Sequence, residues 1–336
     1  MAGKSYLFPT LLAVVVLASS PGAQAQHECS AYAPDRKPSI DSLDITYQLG
    51  EIPLPARKLR FTYVGVAKQD PFWGKIIDGM TEEASKDNVS VDVVVPTNRN
   101  DEAAQLTLAQ AALDNRPDAL LLSPLTDRNL KPLVDAARER NVPTIVVNAP
   151  MPGGSTYIGT DQPSLGSNAA EYLHEMFPYG AVVGEMEGTV TSPYSIERNK
   201  GFTASLAHYP NIRLVAVEHG EWVPESSRTA TLAMMKAHPE IQAVYANSDA
   251  MALGIVDALR SLATLNKVVV VGTDGVTEGR QSIRDHGMRA SSAQFPIDEG
   301  KLGVQAAIRI LGCQPIPIWI QSQQAVITLK SLADYD

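Results

Sequence analysis

The feature that most constrains the fold is a regular alternation of short apolar runs with longer stretches of helical periodicity. Apolar runs of four to seven residues, such as residues 89–95 and 119–122, are each followed by a helical pattern, as at residues 102–113. Parallel strands that are covered by helices on both faces produce continuous apolar runs of this kind. The alternation therefore predicts an α/β protein with parallel sheets.

The alternation runs twice along the chain. The first series extends from residue 59 to residue 147, and a second series begins after residues 156–161 and continues to residue 271. A chain of 336 residues is longer than one hydrophobic core usually organises. We therefore expect two doubly wound, Rossmann-like lobes.

The N-terminal residues have the pattern of a secretory signal peptide. Lys4 precedes an apolar run at residues 11–18, and Ala23-Gln24-Ala25 forms a small-x-small cleavage site. We therefore expect residues 1–25 to be removed and the mature protein to reach the periplasm.

The segment after the expected cleavage site, residues 26–58, shows no sustained period. It contains Pro34, Pro38, Pro53 and Pro55, and closely spaced prolines interrupt regular structure. The sequence predicts an irregular extension here and an ordered domain that starts at Leu59.

The charge and the cysteine content exclude several classes of protein. A formal net charge of −9 without any basic stripe argues against nucleic acid or an anionic membrane as a partner. Cys29 and Cys313 are candidates for one disulfide in an exported chain, but they form no metal-binding or redox motif. Since motifs for a serine nucleophile, a phosphate or a dinucleotide do not occur either, we expect no catalytic residue, metal or cofactor.

Two polar segments follow apolar runs in the second series. Asn247-Ser248-Asp249 opens a helical pattern after residues 243–246, and the run at residues 268–271 continues into Gly272-Thr273-Asp274-Gly275. Ligands of open α/β sheets bind at the carboxyl ends of parallel strands. We expect Asp249 to cap its helix and Asp274 to accept hydrogen bonds from a ligand.

These segments resemble the second domain of type I periplasmic solute-binding proteins, such as the ribose and galactose receptors of bacterial ABC importers. The resemblance covers residues 59–330. It implies two lobes joined by three chain crossings that form a hinge, with the last helix, at residues 297–311, returning to the first lobe. Lobe 1 is then expected at residues 59–160 and 295–322, and lobe 2 at residues 161–294 and 323–336.

The resemblance implies that lobe 1 contributes three ligand-binding side chains after its first strand. Asp70-Pro71-Phe72-Trp73 matches a family loop with a polar residue, a proline and two aromatics. Aromatic rings pack on the apolar face of a sugar, and a carboxylate accepts hydrogen bonds from two hydroxyl groups. Packing beneath the following helix is the alternative role of Phe72 and Trp73.

One position departs from the family pattern. Sugar-binding relatives carry Asp followed by Arg at the end of the strand at residues 144–147, where this chain has Asn148 and Ala149. The clamp on sugar hydroxyls is therefore only partly reproduced. If Arg198 alone opposes Asp70 and Asp274, the cleft holds surplus negative charge, which favours a cationic or hydrogen-bond-donating ligand over ribose or glucose.

Lobe 2 supplies the remaining residues that the resemblance implies. Arg198 matches an arginine three residues before a Gly-Phe pair, and Trp222 stands where relatives carry an aromatic that covers the ring. Packing between the lobes is the alternative role of Trp222. Ser248 replaces an amide of the relatives, with the neighbouring Asn247 as the alternative. The predicted ligand-binding set is completed by Asp274 and Gln294.

The resemblance implies a monomeric, non-enzymatic receptor that closes around a small polar ligand, such as a sugar or polyol, and delivers it to the permease of an ABC importer. A co-receptor for the ectodomain of a sensor histidine kinase is the alternative, and the extension at residues 26–58 is compatible with it. A periplasmic hydrolase is a third class, but no neighbouring group activates a nucleophile beside the acids.

Overall fold

A computed structural model describes residues 38–335, in which a short N-terminal segment precedes two α/β lobes. The N-terminal segment contains β1 (Ser39–Asp41), a 3-10 turn (Ser42–Asp44) and α1 (Ile45–Leu49). The elements of lobe 1 are β2 (Leu59–Val64), α2 (Pro71–Lys86), β3 (Val89–Val94), α3 (Glu102–Asp114), β4 (Ala119–Leu122), α4 (Lys131–Glu139), β5 (Thr144–Val147), β6 (Thr156–Gly159), α10 (Pro296–Leu311) and β12 (Trp319–Gln321).

Lobe 2 is formed by the middle of the chain and a final strand. Its elements are α5 (Gln162–Met176), β7 (Ala181–Glu187), α6 (Pro193–Leu206), β8 (Ile212–His219), α7 (Pro224–Ala237), β9 (Ala243–Ala246), α8 (Asp249–Ser261), β10 (Val269–Asp274), α9 (Thr277–Arg284), β11 (Ala290–Gln294) and β13 (Gln324–Thr328). A 3-10 turn at Leu332–Asp334 follows β13.

Lobe 1 is built on a seven-stranded parallel sheet with the strand order β1-β12-β6-β5-β4-β2-β3. Alternate residues of β4 enter different cores. Leu121 packs in a core that includes α2 and α10, while Leu120 and Leu122 pack in a core that includes α3 and α4. Helices therefore cover both faces of the sheet, which explains the uninterrupted apolar run of this strand.

Lobe 2 repeats the arrangement with the strand order β13-β11-β10-β9-β7-β8, in which only β13 is antiparallel to its neighbour. Helices α5 and α6 cover one face, and α7 and α8 cover the other. Gly166 of α5 and Gly201 of α6 lie where a Cβ atom would collide with backbone atoms of the facing helix. Glycine thus permits the close contact between α5 and α6 that fixes the helix carrying Arg198.

The chain passes between the lobes three times, between β6 and α5, between β11 and α10, and between β12 and β13. Helix α10 packs on α2 and therefore belongs to lobe 1. The predicted α/β class, with two parallel-sheet lobes and a hinge of three crossings, is confirmed. Within residues 38–335, no helix is both long enough and apolar enough to span a bilayer.

The prediction of an irregular extension is wrong for part of residues 38–58. Ser39–Asp41 forms β1, which pairs in parallel with β12, and the Gln323 amide donates to the Asp41 carboxylate at 2.7 Å. A strand of three residues is too short to show a period, and its partner lies at the opposite end of the chain. The segment therefore extends the sheet of lobe 1 and contacts the third crossing.

Three predictions concern the N-terminal residues that lie outside the described part of the chain. These are the signal peptide at residues 1–25, the irregular character of residues 26–37, and the pairing of Cys29 with Cys313. Cys313 follows the last turn of α10 with a φ of 61°. The cleavage site and the disulfide stay predictions.

Candidate ligand-binding site

A cavity of about 870 Å³ lies between the lobes, where the carboxyl ends of the strands of both sheets meet. Both lobes contribute loops to its walls, so movement at the hinge opens or closes it. Gln294 does not border the cavity, whereas the other eight predicted residues do: Asp70, Phe72, Trp73, Asn148, Arg198, Trp222, Ser248 and Asp274.

Asp70 begins α2 and has two structural partners. Its Oδ1 accepts hydrogen bonds from the backbone N–H groups of Phe72 and Trp73, at 3.0 and 3.3 Å, and Pro71 occupies the first helical position. Such a cap satisfies N–H groups that have no partner within the helix. Its Oδ2 forms an ion pair with Arg99 at 3.2 Å. The Asp70 carboxylate is therefore held by the protein on both oxygens.

Arg99 was not among the predicted residues. It lies in the loop between β3 and α3, borders the cavity, and donates from Nη1 to the backbone oxygen of Trp222 in lobe 2 at 3.4 Å. A loop arginine has no periodic signal that would reveal its direction. The expectation that Arg198 alone opposes Asp70 and Asp274 is wrong, because Arg99 neutralises Asp70.

Asp274 ends β10 with a φ of 112°, an unusual backbone angle for a residue other than glycine. Its Oδ1 accepts from the Gln294 amide at 2.8 Å and lies 3.4 Å from Nη1 of Arg198. Burial raises the pKa of Asp274 to about 7, although Arg198 and Gln294 favour the ionised form. Asp274 is thus a buried carboxyl at the wall of the cavity with a protonation state that changes near neutral pH.

Arg198 is almost fully buried, with 4% of its side chain exposed. Besides Asp274, it donates from Nε to the Gln162 amide oxygen at 2.9 Å and from Nη1 to the backbone oxygen of Asn247. These acceptors surround the guanidinium and compensate for its burial. Arg198 therefore has a fixed position beside Asp274.

Gln294 does not line the cavity but is hydrogen-bonded to two residues that do. Its Nε2 donates to Asp274, and its Oε1 accepts from the Asn148 amide at 2.9 Å and from Gln162 at 3.3 Å. Its three partners, Asp274, Asn148 and Gln162, are all buried. Gln294 thus positions the residues around it at the second crossing, and direct ligand contact stays a prediction.

Asn148 connects the cavity with the hinge. It follows β5 with a φ of 64°, which asparagine tolerates well, and its Nδ2 also donates to the buried Glu299 carboxyl at 2.8 Å. Glu299 in turn accepts from Thr160 at 3.1 Å and Ser322 at 2.7 Å, one residue from each of two crossings. Burial raises the pKa of Glu299, and the amide and hydroxyl donors oppose that change. An amide at residue 148 suits this neighbour, whereas a carboxylate would repel it.

The start of α8 differs from the sequence prediction. Ser248, not Asp249, is the N-cap, and its hydroxyl accepts from the backbone N–H of Met251 at 3.2 Å. Asp249 points inward and accepts from Ser291 at 2.7 Å and from the backbone N–H of Val276 at 3.0 Å. Burial, together with the neighbouring Asp274, raises the pKa of Asp249 well above its ordinary value. The Asp249 carboxyl therefore fixes the loop that carries Asp274.

Asn247 and Ser248 can now be distinguished. Asn247 is fully buried, with its side chain accepting from Ser195 at 3.0 Å and donating to Glu185 at 3.3 Å. Ser248 borders the cavity and Asn247 does not. Of the two alternatives, Ser248 has the position from which a ligand could be contacted.

The aromatic wall contains one residue that the sequence prediction omitted. Tyr194 of α6 lies 5.8 Å from Trp73 and 6.2 Å from Trp222 between ring centroids, and its hydroxyl donates to the backbone oxygen of Pro124 at 2.9 Å. Trp73 and Pro124 belong to lobe 1, so Tyr194 joins the lobes across the cavity. Phe72 and Trp73 also belong to the core of lobe 1, so packing and exposure to the cavity coexist.

A sequence signal for Tyr194 does exist. Ser192-Pro193-Tyr194 at the start of α6 repeats the pattern of Asp70-Pro71-Phe72 at the start of α2, with a capping residue, a proline and an aromatic. The two helices follow the first strand of their respective lobes. A search for internal similarity between the lobes would therefore have identified Tyr194.

Comparison with known proteins is consistent with this geometry. Residues 61–314 match the family described as periplasmic binding protein domain. This chain belongs to that family. Ribose import binding protein RbsB of Escherichia coli (strain K12) is 30% identical over 246 residues, which cover 72% of this chain and 81% of that protein. The D-allose-binding periplasmic protein of the same organism is 26% identical over 249 residues, which cover 71% and 80% of the two chains.

Solved structures of periplasmic binding proteins share the fold. The glucose-galactose binding protein GanP from Geobacillus stearothermophilus has a TM-score of 0.78 at 22% identity, and the match covers 82% of this chain and 99% of that chain. The fructose binding periplasmic domain of a hybrid two component system has a TM-score of 0.77 at 24% identity, with coverage of 82% and 92%. At these identities the likeness establishes the type I fold alone.

Two acids of the cavity wall in this periplasmic binding protein are paired with arginines. Asp70 is paired with Arg99 from the same lobe, and Asp274 with Arg198. Within residues 38–335, no group of His, Cys, Asp and Glu side chains could hold a metal ion. The cavity therefore combines two ion pairs with aromatic walls, and Lys68, Glu102 and Glu278 also border it.

Proposed function

We propose that this protein is a periplasmic receptor that binds a neutral, polyhydroxylated ligand, such as a sugar or polyol, and delivers it to an ABC importer. The observation that carries the proposal is the interlobe cavity, in which ion-paired carboxylates stand beside aromatic rings. Two relatives are named for ribose import and for binding D-allose. The receptor acts as a monomer, without catalysis and without a cofactor.

Of the two ligand classes that the sequence suggested, the two ion pairs support the neutral, hydrogen-bond-donating one over the cationic one. Because Arg99 and Arg198 pair with the two acids, Asp70 and Asp274 offer no unmatched charge to a cationic ligand. A carboxylate has several lone pairs, so Asp274 can accept a ligand hydroxyl in addition to its bonds with Gln294 and Arg198. Trp73, Tyr194 and Trp222 offer apolar surface to the carbon atoms of the same ligand.

Closure couples binding to recognition by a membrane partner. The walls of the cavity come from both lobes, so a ligand that contacts both binds the closed state better than the open state. Such a ligand shifts the population toward the closed state. We propose that the permease recognises this closed form.

A second candidate function is ligand sensing for a histidine kinase. The structural similarity to the fructose binding periplasmic domain of a hybrid two component system supports it, because that fold also serves a sensor. The N-terminal segment adds an edge strand to the sheet of lobe 1, which gives this receptor additional surface for a partner. Neighbouring genes distinguish the two functions, since permease and ATPase genes indicate import and a kinase gene indicates sensing.

A thermal-shift screen tests the proposal for the ligand class. We expect at least one of D-ribose, D-allose, D-galactose, xylitol and myo-inositol to raise the melting temperature, because a ligand that binds only the folded state stabilises it. The matched control is Asp274→Asn, which keeps the side-chain shape and loses the charge. A response to amines such as choline, with none to any polyol, would contradict the proposal.

A further inference from the structure

The cavity contains two serines at helix N-caps, and their hydroxyl groups differ. Ser248 begins α8 and Ser192 begins α6; both border the cavity and are buried, with 5% and 4% exposure. The Ser248 hydroxyl accepts a hydrogen bond from the backbone N–H of Met251. The Ser192 hydroxyl makes no capping bond and has no other partner within residues 38–335. Ser192 therefore has an unused donor and acceptor in a residue that borders the cavity.

The backbone N–H groups at the start of α6 also favour an oxygen atom near Ser192. Helix α6 has fourteen residues, and the first N–H groups of a helix have no acceptor within the helix. Their dipoles favour an electron-rich atom at this end. Buried polar groups are seldom left without a partner, so the Ser192 hydroxyl is available for a hydrogen bond with a bound molecule. An oxygen atom placed here would satisfy the Ser192 hydroxyl.

Lobe 1 has a second unused donor in a residue that borders the same cavity. Arg99 uses Nη1 for Asp70 and for the backbone oxygen of Trp222, but its Nε is buried without a partner among the described residues. The guanidinium charge is already matched by Asp70. The Nε–H group therefore suits an uncharged oxygen better than an additional anion.

We propose that Ser192 and Arg99 form an oxygen-binding subsite, in which a hydroxyl, ring or carbonyl oxygen of the ligand accepts hydrogen bonds from one side chain of each lobe. The subsite is additional to the group around Asp274, and it rests on the proposed function of the cavity. Because its two donors come from opposite lobes, the subsite is complete only in the closed form. A ligand oxygen in the subsite therefore adds a second polar contact that stabilises the closed form.

Serine-to-alanine substitutions test the subsite with a matched pair. Ser192→Ala and Ser248→Ala are compared by urea unfolding without ligand and by calorimetric titration with the polyol of the screening panel that binds wild type most tightly. We expect Ser192→Ala to leave the unfolding midpoint unchanged or slightly raised, because no protein partner is lost. Its affinity should fall about tenfold, as for one lost hydrogen bond. Ser248→Ala should lower the unfolding midpoint, because its cap is lost.

Deoxy derivatives of the same polyol identify the oxygen that Ser192 contacts. One derivative should bind wild type more weakly but bind Ser192→Ala as well as the parent compound does. Equal affinity of wild type and Ser192→Ala for the parent compound would overturn the subsite while leaving the proposed function intact. Binding of no panel compound by wild type would overturn the proposed function, and the subsite with it.

Discussion

Asn148 and Asp274 occupy corresponding places in the two lobes, but they have different partners. Each ends the fourth strand of its sheet, counted from the edges formed by β3 and β8, and each has a positive φ, of 64° and 112°. Both border the cavity. The Asn148 amide donates to the buried Glu299 beside the hinge, whereas the Asp274 carboxylate accepts from Gln294 and pairs with Arg198.

This difference shows how one position serves the hinge in lobe 1 and the cavity in lobe 2. An acid at residue 148 would face the carboxyl of Glu299 at hydrogen-bond distance, so lobe 1 places a donor there. Lobe 2 has Arg198 beside the corresponding position and can retain an acid. The asparagine at residue 148 is therefore explained by its neighbour Glu299, whereas nothing in the structure explains Ala149.

The largest expected effect comes from making the two positions alike. Asn148→Asp places a second carboxylate against Glu299, and we expect the free energy of unfolding at pH 7.5 to fall by about 3 kcal/mol. Adding Glu299→Gln restores a donor–acceptor pair, in which the new amide at residue 299 donates to the new carboxylate at residue 148. The double variant should therefore recover most of the lost unfolding free energy. Urea unfolding of the single and double variants measures the coupling. Additive losses in the double variant would contradict the proposed contact.

A second prediction uses the buried carboxyls of lobe 2. Burial raises the pKa of Asp274 from 3.8 to about 7 and that of Glu185 from 4.5 to about 8. A raised pKa of an acid stabilises the fold below the unfolded-state pKa, and this stability is lost as pH rises through the folded-state pKa. The free energy of unfolding without ligand should therefore fall between pH 5 and pH 8.5, as the two carboxyls ionise in the folded state.

Glu185→Gln is the control for the pH prediction because Glu185 lies outside the cavity wall. This variant should show a smaller decrease in the unfolding free energy than wild type over the same pH range. Urea titrations at pH 5, 7 and 8.5 provide the measurement. A wild-type stability that rises over this range, or an unchanged slope in Glu185→Gln, would show that these carboxyls are ionised in the folded state.

The smallest effect is expected at the contact between the lobes. Tyr194→Phe keeps the ring between Trp73 and Trp222 but removes the hydrogen bond to the backbone oxygen of Pro124. We expect the closed state to lose about 1 kcal/mol, the net value of one hydrogen bond. Small-angle scattering should show a larger radius of gyration for the ligand-free variant than for ligand-free wild type. Identical scattering curves would show that this bond does not hold the lobes together.

The lobes and most of the sheet could be predicted because long apolar runs reflect burial on both sheet faces. The strands at Ala119–Leu122, Thr144–Val147 and Ala243–Ala246 have the predicted bounds. β1 and β12, each of three residues, could not be recognised. A short edge strand is defined by its pairing partner, and the partner of β1 is distant in sequence.

The candidate site was predictable in its position and less so in its contacts. The strand end indicated Asp274, since parallel strands direct their carboxyl ends to the same edge, and the resemblance to the family indicated Asn148. The sequence did not reveal that Arg99 would reach Asp70 from a loop, or that Ser248 and not Asp249 would cap α8. These contacts depend on loop geometry and on the approach of the two lobes, neither of which leaves a periodic pattern.

The central claim is that the Asp274 carboxylate accepts a hydrogen bond from the ligand, and calorimetry at two pH values tests it most directly. Wild type and Asp274→Asn are titrated at pH 6 and pH 8 with the tightest-binding polyol of the panel. Because the Asp274 pKa is about 7, wild-type affinity should rise with pH. Asp274→Asn should bind more weakly by about 2–3 kcal/mol at pH 8 and show no rise. Equal affinities and equal pH dependence in both proteins would contradict the claim.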